Sequence, residues 1–140
     1  MIYNLSDHHS ILNKFLSQLR DQEVQKDSMR FRRNLERIGE IMAYEISKKM
    51  DFIAQSTETP LGISTTNVPL DKVVLGTILR AGLPLHQGLL NYFDDAENAF
   101  ISAYRQHHKD GTFEINLQYV SCPNLDGKTL IIVDPMLATG

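Results

Sequence analysis

The first third of the chain repeats apolar residues at intervals of three and four, the spacing that places them on one side of a helix. After Ser10 this spacing predicts a short amphipathic helix, and beyond the polar break at 21–27 it predicts a longer one with Ser28 as its N-cap. The apolar side of the first helix consists of Ile11, Leu12, Phe15, Leu16 and Leu19. That of the second helix consists of Phe31, Leu35, Ile38, Met42, Ile46 and Met50.

The pattern changes to extended segments after the second helix. Between Asp51 and Pro69 the composition is rich in Ser, Thr, Asn, Pro and Gly, and the turn signal Thr59-Pro60-Leu61-Gly62 predicts a small hairpin. The next segment, from Val73 to Leu79, is a continuous apolar run rich in β-branched residues, which is typical of a strand covered on both faces.

The second half of the chain adds one helix and further strands. After a turn at Arg80-Ala81-Gly82, Pro84 predicts the first turn of a helix that ends near Asp94. A strand is predicted from Ala99 to Tyr104, and a final buried strand from Leu130 to Val133 after the turn Asp126-Gly127. Between them, a half-buried strand is predicted from the alternating residues Phe113, Ile115, Leu117 and Tyr119.

This order of elements predicts an α/β protein with a mostly parallel sheet and helices on its faces. The length of 140 residues suits one domain with a hydrophobic core. Within it, we expect residues 1–70 to form a helical extension and a hairpin arm, and residues 71–140 to form the core sheet.

Composition narrows the class of protein further. The 14 Lys and Arg against 17 Asp and Glu give a net charge of −3, which disfavours nucleic-acid binding over a broad basic surface. No apolar run approaches the roughly 20 residues of a membrane span, and the first ten residues lack the pattern of a secretory signal. The single cysteine, Cys122, excludes an internal disulfide, so we expect a cytoplasmic protein without a membrane partner.

Candidate chemistry lies where three predicted strands end. Arg80 follows the first strand of the core, Arg105 the second and Asp134 the last. Ligands of open parallel sheets bind off the carboxyl ends of the strands, and guanidinium groups bind phosphate oxygens in pairs. Gly82 has no Cβ, so backbone N–H groups beside Arg80 could also approach an anion. The three ends suit a ligand that carries both phosphate groups and hydroxyl groups.

The last ten residues predict a loop that holds a phosphate. Asp134 can accept hydrogen bonds from vicinal hydroxyl groups, while the small residues Ala138, Thr139 and Gly140 let backbone N–H groups surround an anion. Because domains rarely end inside such a loop, we expect the sequence to continue past Gly140 and this piece to be inactive by itself.

The runs that carry this chemistry resemble uracil phosphoribosyltransferase. They are Ile132 to Gly140, Ile78 to Leu83 and Tyr104-Arg105, and the resemblance continues in Glu58 to Gly62, Ala43 to Glu45 and Leu19 to Asp21. It implies a type I phosphoribosyltransferase-like parallel sheet flanked by helices, with N-terminal helices and a β-hairpin arm. It also implies pyrimidine salvage, in which uracil and phosphoribosyl pyrophosphate give uridine monophosphate and pyrophosphate.

The resemblance assigns roles to individual residues. Asp134 and Arg105 are implied to be catalytic, and pyrophosphate is implied to bind at Arg80, Ala81, Gly82 and Arg105. The ribose 5-phosphate group is implied to bind at Asp134, Pro135, Met136, Leu137, Ala138, Thr139 and Gly140. Magnesium is implied as a cofactor held through the pyrophosphate, without an assigned protein ligand. GTP binding and a homo-oligomer, at least a dimer, are further implications.

The sequence departs from the family pattern at Gln106, where an Asp commonly follows the Tyr-Arg pair, and this changes what the loop offers to a metal or to pyrophosphate. The segment by which the family recognises uracil lies past Gly140, so transfer to another base is an open alternative. A second alternative is a regulator of the same fold that binds nucleotide or RNA. Its candidate residues are the basic cluster Lys26, Arg30, Arg32, Arg33 and Arg37. Arg20 and Arg32 are also candidates for a second anion site.

Overall fold

A computed structural model describes residues 2–107 and 113–136 of the chain. Its helices are α1 (Ile11–Arg20), α2 (Ser28–Ser47) and α3 (Leu83–Leu90), and short 3-10 turns lie at Leu5–Asp7 and Val24–Lys26. Its strands are β1 (Phe52–Thr59), β2 (Gly62–Pro69), β3 (Val73–Leu79), β4 (Glu97–His107), β5 (Phe113–Ser121) and β6 (Thr129–Val133). The predicted helices and strands are all present. Helix α3 ends before the predicted Asp94, and β4 is longer at both ends than predicted.

Strands β1 and β2 form the predicted hairpin arm. They pair antiparallel from Phe52 with Pro69 to Thr59 with Gly62, and the turn between them contains Pro60 and Leu61. Gly62 has a φ of 129°, a conformation that side chains with a Cβ rarely adopt. The arm forms a sheet of its own, separate from the main sheet.

Asp71 connects the base of this arm to the main sheet. Its carboxylate accepts a hydrogen bond of 3.0 Å from the backbone N–H of Asp51 and one of 2.9 Å from the hydroxyl of Thr129. Because Asp51 precedes β1 and Thr129 begins β6, one side chain fixes the arm relative to an edge of the sheet.

The main sheet has the strand order β5-β4-β3-β6 within the described residues. Strand β3 is parallel to both β4 and β6, whereas β5 is antiparallel to β4, with an irregularity at Ser102 and Ala103. The prediction of an α/β protein with a mostly parallel sheet is confirmed. All three parallel strands therefore present their carboxyl ends at one edge.

The helices stack on one face of this sheet. Leu75 of β3 and Val133 of β6 pack into a core with residues of all three helices. Helix α2 crosses α3 at Gly39 and Gly88, where a Cβ on Gly88 would overlap the carbonyl oxygen of Glu36 and lie 2.9 Å from the Glu40 nitrogen. The two backbones therefore touch, which periodicity alone does not predict. The buried apolar side chains are Leu12, Leu35, Ile38, Ala43, Val73, Val74, Leu75, Leu85, Leu89, Ala96, Ala99 and Val133.

The N-cap of α2 differs from the prediction. Asp27, and not Ser28, holds this position, and its carboxylate accepts hydrogen bonds from the backbone nitrogens of Met29 at 3.1 Å and Arg30 at 3.0 Å. Both residues are of a type that caps helices, and the carboxylate has the additional attraction of the helix dipole.

The predicted burial of the two outer strands is wrong. In β6 only Val133 is buried, at 3% exposure, while Ile132 is 60% exposed. In β5, which was predicted to be half-buried, Ile115, Leu117 and Tyr119 are all more than half exposed. Both strands lie at an edge, and the described helices cover only one face of the sheet. None of these helices is long and apolar enough to cross a membrane.

Candidate functional site

The carboxyl edge of the parallel strands brings two of the predicted site residues near each other. Thr77 of β3 pairs with Val133 of β6, so Arg80 and Asp134 leave neighbouring strands at the same edge. Leu79 pairs with Ser102 of β4, and Arg105 lies three residues further along that strand. Arg105 was expected just after the strand and instead lies within it, because β4 continues to His107 in its pairing with β5.

The β3–α3 turn carries Arg80, Ala81 and Gly82. The side chains of Arg80 and Ala81 are exposed, and the peptide bond between Leu79 and Arg80 is cis. Gly82 is buried, and its backbone nitrogen donates a 3.1 Å hydrogen bond to the carbonyl oxygen of Ile78. The turn thus holds a free guanidinium at the edge while its own backbone folds back onto β3.

Gly82 has a packing role that the sequence did not suggest. A Cβ at this position would overlap the hydroxyl of Thr77 and lie 3.1 Å from the carbonyl oxygen of Val133. Thr77 is fully buried, and among the described groups its hydroxyl has no hydrogen-bond partner. The absence of a side chain at Gly82 therefore lets the turn close over the ends of β3 and β6, and the predicted approach of an anion stays a prediction.

Asp134 directly follows the buried Val133 and is exposed, as a ligand-binding carboxylate at a strand end requires. Pro135 is half-buried and Met136 is exposed beyond it. The other predicted residues of this loop, at 137–140, lie outside the described residues, and so does the side chain of Arg105. Residues 134–136 thus begin a loop at the edge that also carries Arg80.

A cavity of about 700 Å³ opens between these loops and the N-terminal helices. Arg80, Ala81, Pro135 and Met136 form its side at the sheet edge. On the helical side it is lined by further residues, which are Leu16, Leu19, Arg20, Gln25, Phe31, Arg32, Leu35 and Pro84. Sequence reasoning named Arg20 and Arg32 only as a separate anion site, whereas the structure brings them to the same cavity as Arg80.

The rest of the basic cluster on α2 is neutralised by neighbouring residues. Arg33 lies 2.6 Å from Glu36, and this guanidinium holds the pKa of the Glu36 carboxyl below its usual value. Arg30 lies 3.8 Å from Asp27, and Arg37 donates a hydrogen bond to Asn34. A surface of balanced charge gives little electrostatic attraction for RNA, so the geometry does not favour the RNA-binding alternative.

The fold and the site together define an α/β protein with arginines and a carboxylate at the carboxyl edge of parallel strands, the arrangement of a phosphate-ligand site. Comparison with protein families identifies which one. The model of the family described as uracil phosphoribosyltransferase matches residues 5–140, and the chain belongs to this family.

Individual relatives agree with this assignment. The chain is 55% identical over 139 residues to the uracil phosphoribosyltransferase of Porphyromonas gingivalis, a match that covers 99% of the chain and 64% of that protein. It is 37% identical over 142 residues to that of Pyrococcus furiosus, covering 99% of the chain and 59% of that protein. A solved structure of a protein from Aquifex aeolicus superposes with a TM-score of 0.84 at 28% identity and is matched over 64% of its length. The chain therefore spans less than two thirds of these relatives.

Proposed function

We propose that the protein containing this chain transfers the phosphoribosyl group of phosphoribosyl pyrophosphate to uracil, giving uridine monophosphate and pyrophosphate. The observation that carries the proposal is the placement of Arg80 and Asp134 on neighbouring strand ends at one edge of the sheet. Uracil as the acceptor follows from the family and from the names of the relatives.

Arg80 and Arg105 serve the leaving group in this proposal. Negative charge grows on pyrophosphate as its bond to the anomeric carbon breaks, and positioned guanidinium groups stabilise that charge. Arg80 suits this role because its side chain is exposed at the edge while the turn beneath it is fixed by the Gly82–Ile78 hydrogen bond. Ala81 and Gly82 belong to the same pyrophosphate loop.

Asp134 and the loop after it serve the ribose 5-phosphate. An exposed carboxylate accepts hydrogen bonds from the two ribose hydroxyls and favours the positive charge that develops on the ring as the leaving group departs. Beyond it, the 5′-phosphate is assigned to the segment from Pro135 to Gly140.

Magnesium is proposed as the cofactor, bound mainly through the substrate. The described residues include no cluster of three or more His, Cys, Asp or Glu side chains that could hold a metal ion. Asp134 offers one exposed carboxylate at the edge, and Mg²⁺ commonly takes one or two carboxylates together with substrate phosphates. These residues fit a substrate-borne ion, which when bound neutralises part of the charge on pyrophosphate.

The hairpin arm supports a homo-oligomer, at least a dimer. Leu61 at its tip and Ile63 beside it are strongly exposed, at 101% and 79%. Apolar side chains at the end of a projecting two-stranded sheet are suited to burial against a second subunit. GTP binding, which family membership suggests, and a cytoplasmic location, which the single Cys122 suggests, belong to the same proposal.

The proposal is tested by exchanging Asp134 for Asn in the complete protein and measuring uridine monophosphate formation from radiolabelled uracil. Asp134→Asn keeps the size of the side chain and removes its charge, so we expect kcat/KM to fall by about 100-fold. The matched control is Asp126→Asn in the exposed turn before β6, which should keep full activity. Equal turnover of the Asp134→Asn variant and the wild type would disprove the assignment.

A further inference from the structure

Three arginines from separate parts of the chain line the cavity between the sheet edge and the N-terminal helices. Arg20 is the last residue of α1, Arg32 lies in the second turn of α2, and Arg80 lies in the β3–α3 turn. The fold alone brings them together, because more than 40 residues separate Arg32 from Arg80 in the sequence.

These arginines differ from the others on α2 in their neighbours. Arg30 and Arg33 each have a carboxylate within 4 Å, from Asp27 and Glu36. Among the side chains that the structure describes, no carboxylate comes as close to Arg20, Arg32 or Arg80. Three positive charges therefore border one cavity without a negative charge among its lining residues.

The remaining wall strengthens the field of these charges. Leu19, Phe31, Leu35 and Pro84 contribute apolar surface, and Gln25 contributes an uncharged amide. Charges beside apolar surface are screened less than charges in open water, so they attract an anion more strongly. A cavity with this lining is suited to an anion of several charges.

The cavity is continuous with the site already described. Ala81 lies next to Arg80 on one side, and Pro135 and Met136 follow Asp134 on the other. An anion bound in the cavity is therefore in reach of the loops that hold phosphoribosyl pyrophosphate in the proposed function. Of that substrate, the pyrophosphate group carries the most charge and is the part assigned to Arg80.

We propose that Arg20 and Arg32 bind the pyrophosphate group together with Arg80, so that the N-terminal helices supply part of the leaving-group site. This inference rests on the proposed function, because it places the same substrate at the same edge. The two arginines contribute to binding both of the substrate and of the pyrophosphate product. Their loss therefore weakens product inhibition by pyrophosphate as well as substrate binding.

Calorimetric titration of the complete protein with inorganic pyrophosphate and magnesium tests this inference without requiring turnover. We expect Arg20→Gln and Arg32→Gln each to raise the Kd about tenfold, as Arg80→Gln does, because each removes a charge-assisted hydrogen bond. Arg32→Lys should restore part of the affinity, since it returns the charge without the planar fork. The matched control, Arg30→Gln on the same helix but outside the cavity lining, should change the Kd less than twofold.

The outcomes separate this inference from the function on which it rests. If Arg80→Gln weakens binding while Arg20→Gln and Arg32→Gln do not, the inference is wrong and the proposed pyrophosphate loop stands. If Arg30→Gln weakens binding as much as Arg32→Gln, the effect is one of general charge and the inference is wrong. If the wild type does not bind pyrophosphate, the proposed function fails and the inference fails with it. All four side chains are exposed, so thermal unfolding should be unchanged in the variants.

Discussion

The two faces of the main sheet have similar sequences and different surroundings. On one face, Leu75 and Val133 are buried against α2 and α3. On the other, Leu117 and Ile132 are more than half exposed, although they alternate with the buried positions of the same sheet. The described helices pack on the first face only. The difference shows that an apolar strand position contributes to stability only where another element covers it.

The covered face also imposes steric limits that the open face lacks. Gly39 and Gly88 allow α2 and α3 to touch through their backbones, whereas Gly76 on the open face has ordinary clearance. A Cβ on Gly76 would lie 3.4 Å from Leu130 Cδ1 and 3.9 Å from Ala99 Cβ. The same residue type is therefore a packing requirement in one layer and a tolerant position in the other.

The largest expected effect is that of Gly88→Ala on the covered face. The new Cβ would overlap the Glu36 carbonyl oxygen, and backbone atoms cannot move aside as a flexible side chain can. We expect the free energy of unfolding to fall by about 3 kcal/mol or more, the upper end of the cost of overpacking. Urea denaturation followed by circular dichroism measures this loss.

Gly76→Ala is the matched control on the open face. Its Cβ meets only ordinary van der Waals distances, so the free energy of unfolding should change by less than about 1 kcal/mol. Equal losses in the two variants would contradict the proposed difference between the faces.

Periodicity predicted the elements of this fold better than it predicted their surroundings. The apolar spacing after Ser10, the turn at Pro60 and the β-branched run of β3 each report a local preference, and the structure has an element at each of them. Burial of Ile132 or Leu117 depends instead on which helix lies above them, and no local pattern contains that information. The choice of Asp27 over Ser28 as N-cap was similarly a competition between adjacent residues of nearly equal preference.

The candidate site divides in the same way. Arg80 and Asp134 could be proposed from sequence because a parallel strand predicts which of its ends faces the ligand. Arg20 and Arg32 reach the same cavity only through the packing of α1 and α2, so sequence reasoning placed them in a separate anion site. The motif Leu19-Arg20-Asp21, which takes part in the family resemblance, was the available signal for Arg20.

A second comparison of the faces is made by truncating one residue on each. Leu75 is fully buried among the helices, so Leu75→Ala should lower the free energy of unfolding by about 2–5 kcal/mol. Ile132 on the neighbouring strand is largely exposed, so Ile132→Ala should cost less than about 1 kcal/mol. Chemical denaturation of both variants measures the ratio. A loss at Ile132 as large as that at Leu75 would mean that the second face is covered in solution.

The helix that covers the first face should itself depend on its cap. Asp27→Ala removes the carboxylate that accepts hydrogen bonds from the Met29 and Arg30 nitrogens, and should cost about 1 kcal/mol. The matched control is Ser28→Ala, whose hydroxyl is not the cap and whose loss should be close to neutral. Thermal unfolding distinguishes the two, and a larger effect at Ser28 would restore the cap predicted from the sequence.

The smallest effect concerns the response of the covered face to acid. His86 of α3 is buried against Phe100 of β4, with ring centroids 5.6 Å apart. Burial lowers the pKa of His86 from its usual value, and a hydrogen bond with Asn98 opposes part of that decrease. The unfolded chain therefore binds a proton at this position more readily than the folded chain does. Stability from this group is present above the unfolded pKa and is lost as the pH falls through 6.5 toward the lower folded pKa.

His86→Gln isolates this contribution. Its Tm at pH 8 reports the loss of ring packing, while the change in Tm from pH 8 to pH 5 reports the proton. Each unit of pKa difference is worth about 1.4 kcal/mol, so the wild type should lose about 1 kcal/mol more stability than the variant over this range. Parallel pH dependence of the two proteins would show that His86 is hydrated in solution, and that the covered face is more open at β4 than its packing against Phe100 implies.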